Sequence, residues 1–478
     1  MNKKAKVKLL VSLAIVLSLA IVVFLSTGST TYQILELKAL DLRFVLKGER
    51  VSDAPVVHID IDDQSLAALG RWPWPRDHHA KVTRILKECG ARQIVMDVLF
   101  TEEFKDAPQQ DAAFAQALAD TGITYLPFYF LEPPSALTPQ IRELLLKDIT
   151  ISPEAAARDL GMDPFILRER LPQARKALFN EAVREVLRTD PDIGLESLFG
   201  KIEQTRGWFF FPEDENYVSA HFPAEQAARF FSTRFAMDPG PGGWPFREDP
   251  RPRSVPIMAF VRTIRGGGFI NAPSDIDGVT RSIPLFLKHE QRLYPQLTMA
   301  ALLDVLDVKN VSALPGRVIL KDALLRGERK DIRIPVDEKG SMLLNWAGRW
   351  GVSFKHLSYH AILRLQEIRE ELQHGAAVSA GDLAYLTKTE AELVEKLTGM
   401  VKGKTCLIGL TATGTNDLSP VPLQEKYPMG GAHANLVDTI MGENFIHKAG
   451  AGILFAVFLL TALVIASSSL MAVLTWAM

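Results

Sequence analysis

The sequence predicts an α/β fold: a mostly parallel sheet in one extracytoplasmic domain, with a helical insertion and flanking transmembrane helices. Three observations predict it. Apolar β-branched runs alternate with helical periodicity between Pro55 and Leu131. A charged helical tract interrupts that alternation from about residue 132 to 234. Uncharged apolar stretches, Leu9–Leu25 and Ala449–Met478, stand near the two ends.

Taken in order, Lys3, Lys4, Lys6 and Lys8 precede the first apolar stretch, the pattern of an uncleaved anchor with its lysines inside. Ala449–Ala466 is long enough to cross a bilayer as a helix. After Ser467–Ser469 a second apolar run begins, so the natural protein is expected to continue past Met478. The expected divisions are 1–31 (cytoplasmic tip and anchor), 32–447 (extracytoplasmic) and 448–478 (membrane). The bilayer is thus an expected partner.

Pro55–Ile61 reads as a buried strand. Pro75 and Asp77 open a helix in which Val82, Ile85, Leu86 and Cys89 share one face, and Gly90 stops it. Arg92–Leu99 is a second strand, Asp111–Asp120 a helix ended by Gly122, and Ile123–Leu131 a third strand. Strand, helix, strand, helix, strand over so short a span requires parallel crossovers. In the insertion, Gln140–Lys147, Pro153–Leu160 and Gln173–Leu187 are helical. Asp238–Pro256, dense in Pro and Gly, is a surface loop. The α/β signal resumes with a strand at Val279–Leu287, a helix at Pro295–Leu306, strands at Asp331–Val336 and Ser341–Trp346, a helix at Ala377–Met400, a strand at Thr405–Leu410 and a helix at Ala432–Met441.

Lys and Arg total 54 against 56 Asp and Glu, a net charge of −2, which leaves no basic field for nucleic acid. Cys89 and Cys406 form neither a CxxC nor a zinc spacing and read as small buried hydrophobes. HExxH, GxSxG and Walker motifs are absent, as are recognisable cyclase, kinase and phosphorelay motifs. No cofactor, metal or catalytic residue is predicted.

The candidate ligand-binding residues are Asp60, Asp62, Arg76 and Asp97. The three acids fall at or near the carboxyl ends of two predicted parallel strands, where open α/β sheets bind ligands, with Arg76 at a nearby helix start. The competing reading is that they cap turns and pair with arginines. Asp60-x-Asp62 after an apolar strand also fits a haloacid-dehalogenase-type phosphatase, one Asp as nucleophile and the other as acid/base. A scaffold that binds another envelope protein through its insertion is a third reading. Trp72-Pro73-Trp74-Pro75 is read as core cover, Asp275-Ile276-Asp277-Gly278 as a plain turn and His433 as a polar cap.

Several segments carry a family resemblance: Asp41-Leu42-Arg43-Phe44, Val57–Asp63, Gly70–Arg76, Ala91–Phe100, Gly268–Asn271, Asp275–Arg281, Tyr294-Pro295, Gly403–Leu418 and His433-Ala434-Asn435. In this order they resemble the type-two CHASE sensory domain of bacterial transmembrane receptors. The resemblance implies an extracytoplasmic sensor of an unknown ligand, working as a homodimer. The cytoplasmic output it implies is most often a class III adenylate or guanylate cyclase, otherwise a kinase or diguanylate cyclase.

Overall fold

A computed structural model describes residues 29–131, 136–240, 243–246, 248–249, 251, 253–373, 379–414 and 417–447. Both terminal apolar stretches lie outside the described residues. Among those described, no helix is long and apolar enough to cross a membrane.

The central sheet forms because its strands are apolar on both faces. Val56–Ile61 is buried at all six positions, as a parallel strand covered on two sides requires. The strand order is Lys355–Ser358, Val56–Ile61, Thr405–Leu410, Gln93–Met96, Thr124–Phe130, then Gly266–Phe269, all parallel. The short Arg253–Ser254 strand joins Thr124–Phe130 antiparallel. The last long strand in the chain therefore sits between the first and the second.

Alternation sorts side chains to two layers. Val57, Ile59, Ile61, Ile94, Met96, Cys406 and Ile408 face a core shared with helices Arg76–Glu88, Pro108–Thr121, Tyr359–Gln373 and Ala380–Val401. Val56, Val95 and Leu407 face the opposite core, built with helices Leu297–Val305 and Gly430–Met441. A third cluster, around Leu171, Phe179, Val183, Ile202 and Trp208, lies within the helices between Pro139 and Phe235. The last of these, Pro212–Phe235, carries Ala227, Ala228 and Phe231 back into the main core.

The expected Thr405–Leu410 strand is found with those bounds, and Gly122 ends the Pro108–Thr121 helix in the left-handed conformation. Elsewhere the structure differs from the expectation. The second strand stops at Met96, because Asp97–Leu99 leaves the sheet to wall a cavity. Pro295 ends the Arg292–Pro295 strand, and the Gln296 side chain caps the following helix by accepting from Thr298 and Met299 N–H. An antiparallel meander, Asn310–Leu314, Arg317–Leu325 and Glu328–Pro335, extends well beyond the expected Asp331–Val336 strand. The outward positions of its last two strands are mostly charged, which weakens the apolar signal along the chain. Both cysteines are buried and free.

Candidate functional site

A cavity of about 350 Å³ opens where the parallel strands end. Leu99 and Ile270 wall it just beyond two strand ends, Leu410 ends a third, and Trp72 and Met429 add further apolar wall. The polar groups are Asp97, Asp417, His433, Gln296 and Arg76.

Asp97 is fixed by its own backbone, whose N–H donates to the Ile408 carbonyl at 2.7 Å. Its carboxylate accepts from His433 Nε2 at 3.2 Å. His433 is oriented from behind: the Gln296 amide donates to Nδ1 at 3.0 Å, which leaves Nε2 as the donor toward Asp97. Asp417 is held through its carbonyl, which accepts from Met429 N–H at 3.0 Å. Burial, and then the charge of Asp97, push the Asp417 carboxyl up to about 7, while His433 pulls it down. Among the described residues the Asp417 carboxyl meets these charges and no hydrogen-bond donor. His79, also on the wall, bonds the Tyr359 hydroxyl at 2.9 Å, and burial lowers its pKa to about 3. The cavity thus offers an acid whose pKa is pushed toward neutrality beside a hydrogen-bonded Asp–His pair, framed by apolar surface.

The four candidate residues separate. Asp97 and Arg76 line the cavity, but Arg76 is already engaged. Its Nε donates to Asp111 at 3.2 Å, Nη2 donates to the Glu102 carbonyl at 3.1 Å, and the guanidinium lies over Phe100. Asp60 and Asp62 are not on the cavity wall. Asp60 accepts from His356 Nδ1 at 2.8 Å, and His356 stacks on His58. Asp62 caps the Asp63–Leu69 helix, accepting from Ser65 N–H at 2.8 Å and from the hydroxyls of Ser65 and Ser358. The two acids thus serve different partners, Asp60 a histidine and Asp62 a helix start. Asp417 and His433 enter the cavity from segments that already carried the resemblance. The signal that could have singled them out was a lone acid closing a Gly/Thr loop and a histidine behind two glycines.

A second polar centre ties the chain's entry to the domain. The Arg281 side chain is fully buried, and its guanidinium donates to Asp41 on the Thr30–Lys47 helix at 2.7 Å and to Asp275 and Asp277 at 2.8–2.9 Å. The hydrogen bonds from Arg281 hold Asp277 well below the usual carboxylate range. The Asp-Ile-Asp-Gly turn is thus an arginine clamp, and among the described residues no cluster of acids, histidines or cysteines could hold a metal ion. Nearby, Arg50 forms a two-pronged ion pair with Asp438, joined by the Ser52 hydroxyl. Lys47 bonds Asn345, whose amide donates to the Asn444 carbonyl at 2.7 Å. The first and last described segments of the chain therefore meet.

No curated protein and no solved structure matches this chain. The CHASE2 domain, by contrast, matches residues 15–474, nearly the whole sequence. The ordered segments, the α/β sheet and the family match agree: this chain belongs to the CHASE2 family, the sensory domains of signalling receptors.

Proposed function

We propose that residues 32–447 are the extracytoplasmic sensing region of a bacterial transmembrane receptor in the cytoplasmic membrane, with the N-terminal lysines inside. The apolar ends cross the bilayer, and the receptor works as a homodimer governing a cytoplasmic output, a class III adenylate or guanylate cyclase. CHASE2 domains as a class are extracytoplasmic sensors, which supports the placement. The signal binds in the cavity, with Asp97, Asp417 and His433 as its polar contacts.

One observation carries this reading. The Gly430–Met441 helix presents His433 to the cavity and, five residues on, Asp438 to Arg50. Those side chains stand about 8 Å apart along the helix axis. A ligand that shifts His433 therefore shifts the ion pair that joins the entry and exit segments, provided it favours one of two helix positions. The test joins the chain at Met478 to a cyclase catalytic domain and measures cyclic nucleotide production in membranes. His433→Ala at the cavity and Arg50→Ala at the ion pair are each expected to change output severalfold with expression intact. Unchanged output in both variants would remove the reading.

A further inference from the structure

The Thr30–Lys47 helix buries only one face. Leu37, Leu40, Asp41 and Phe44 turn toward the domain, with Phe44 in its core. On the opposite face Leu35, Leu42, Val45 and Leu46 are 64%, 56%, 59% and 77% exposed. With the exposed Ala39 they form a continuous apolar stripe two turns and more in length. Lys38 and Arg43 fall on its two opposite edges. Further exposed apolar residues adjoin the helix: Ile276 within the clamp turn, and Val51 and Val352 beside the backbone contact of Ser52 with Ser353. A contiguous exposed apolar surface of this kind marks a binding face.

The ends of the described chain identify what covers it. Only four residues lie between Leu25, where the first apolar stretch ends, and Thr30, and four lie between Asn444 and Ala449. Each link spans at most about 17 Å. Lys47 is joined to Asn444 through Asn345, so one end of the helix is tied close to the end of the first apolar stretch and the other close to the start of the second. An 18-residue helix is about 27 Å long. Lying flat satisfies both links, whereas a helix standing on end would lift one of its ends about 27 Å from the surface and overstretch the link at that end.

We propose that the Thr30–Lys47 helix lies along the outer membrane surface, its Leu35–Leu46 stripe sunk into the headgroup boundary; this rests on both terminal apolar stretches spanning the bilayer. An amphipathic helix with a basic residue at the edge of its apolar face suits that position, since Arg43 reaches headgroups from one side while Lys38 on the other pairs with the domain. A second copy of the helix suits it less well. The stripe keeps heptad spacing, but a parallel pair would set Lys38 of one copy opposite Arg43 of the other. On the buried side, Arg281 grips Asp41, and Lys38 reaches Asp277 at 3.1 Å. The sensor therefore rests on the bilayer through a helix that is locked to its own core.

The test uses the 478-residue chain in nanodiscs of phosphatidylcholine with phosphatidylglycerol. Single cysteines at Leu35, Leu42, Leu46, Gln33, Glu143 and Leu17 are labelled with an environment-sensitive fluorophore; Cys89 and Cys406 are buried and do not compete. Labels at Leu35, Leu42 and Leu46 are expected to be blue-shifted and quenched severalfold more by doxyl lipid than by aqueous iodide, like Leu17. Gln33 and Glu143 are expected to show the reverse. Iodide access at the three stripe positions, with Leu17 still lipid-quenched, would overturn the inference and leave the membrane anchoring intact. Disulfide crosslinks between copies at Leu35 and Leu42, shielded from both quenchers, would overturn it in favour of a dimer seam. Iodide access at Leu17 would sink the anchoring itself, and the inference with it.

Discussion

Asp417, half-buried, and Arg281, fully buried, show two ways a desolvated charge is tolerated in this domain. Asp417 has no donor among the described residues, so burial and the neighbouring Asp97 raise its pKa to about 7. A carboxyl raised in the folded state takes up protons on folding between its ordinary value and 7. Its contribution is therefore favourable below about pH 4 and is lost as pH rises toward and through 7. Asp417→Asn should match the parent in thermal melts near pH 4 and exceed it at pH 8. The gain should be on the order of 1–2 kcal/mol after allowance for water in the cavity. Equal pH dependence in both proteins would refute this account of Asp417. Arg281 is compensated instead, by three carboxylates around a fully buried guanidinium. Arg281→Lys keeps the charge but loses the fork that serves Asp41, Asp275 and Asp277 together. Urea denaturation should report a loss of about 3 kcal/mol.

Among the elements, the Gly266–Phe269 strand is the most tightly constrained. A Cβ on Gly266 would come within 2.7–2.8 Å of the Tyr125 ring, and one on Gly267 within 2.6 Å of Phe231. On Gly268 it would lie 2.6 Å from the Leu297 backbone and the Pro295 carbonyl, where no side-chain rotation relieves the clash. The glycines let the strand run against the Leu297–Val305 helix and the returning Pro212–Phe235 helix at once. Gly268→Ala should destabilise by about 3 kcal/mol in denaturant titration, at the upper end for overpacking. Gly161→Ala, at a helix end with open space around it, should lose less. Asn271 continues the same edge with its side chain, accepting from Phe130 N–H at 2.8 Å and donating to the Phe130 carbonyl at 3.1 Å. The Gly268–Asn271 segment that carried part of the resemblance is thus explained by packing and by these hydrogen bonds.

Across the whole molecule, the cavity and the meeting point of the first and last described segments are joined by the Gly430–Met441 helix, which is buried along almost its full length. Of the 12 helix residues, 11 are buried, so the helix has little room to bend and moves as a unit. Asp438→Asn should therefore act like Arg50→Ala, altering the coupling while the cavity keeps its geometry. The expected outcome is an output changed in the same direction by both single variants and by the double variant no more than by either alone. Additive effects would mean that the two residues act separately.

Local pattern alone determined the strands and helices that repeat one rule along the chain. Val56–Ile61, Thr124–Phe130, Thr405–Leu410 and the 139–189 helices were legible because burial on both faces, or on one stripe, writes itself into the spacing of apolar residues. The charged-outside meander and the edge strand Lys355–Ser358 were faint for the opposite reason. Of the site, Asp97 and Arg76 were legible from their place at a strand end and a helix start. Asp60 and Asp62 had the same credentials, and only their neighbours, His356, Ser65 and Ser358, turned them into structural groups. The decisive step was topological. The Thr405–Leu410 strand enters between two strands more than 300 residues earlier in the chain, and this brings Asp417 and His433 to Asp97. No periodicity encodes that insertion, because it depends on which strand edges are left to pair once the rest of the sheet has formed.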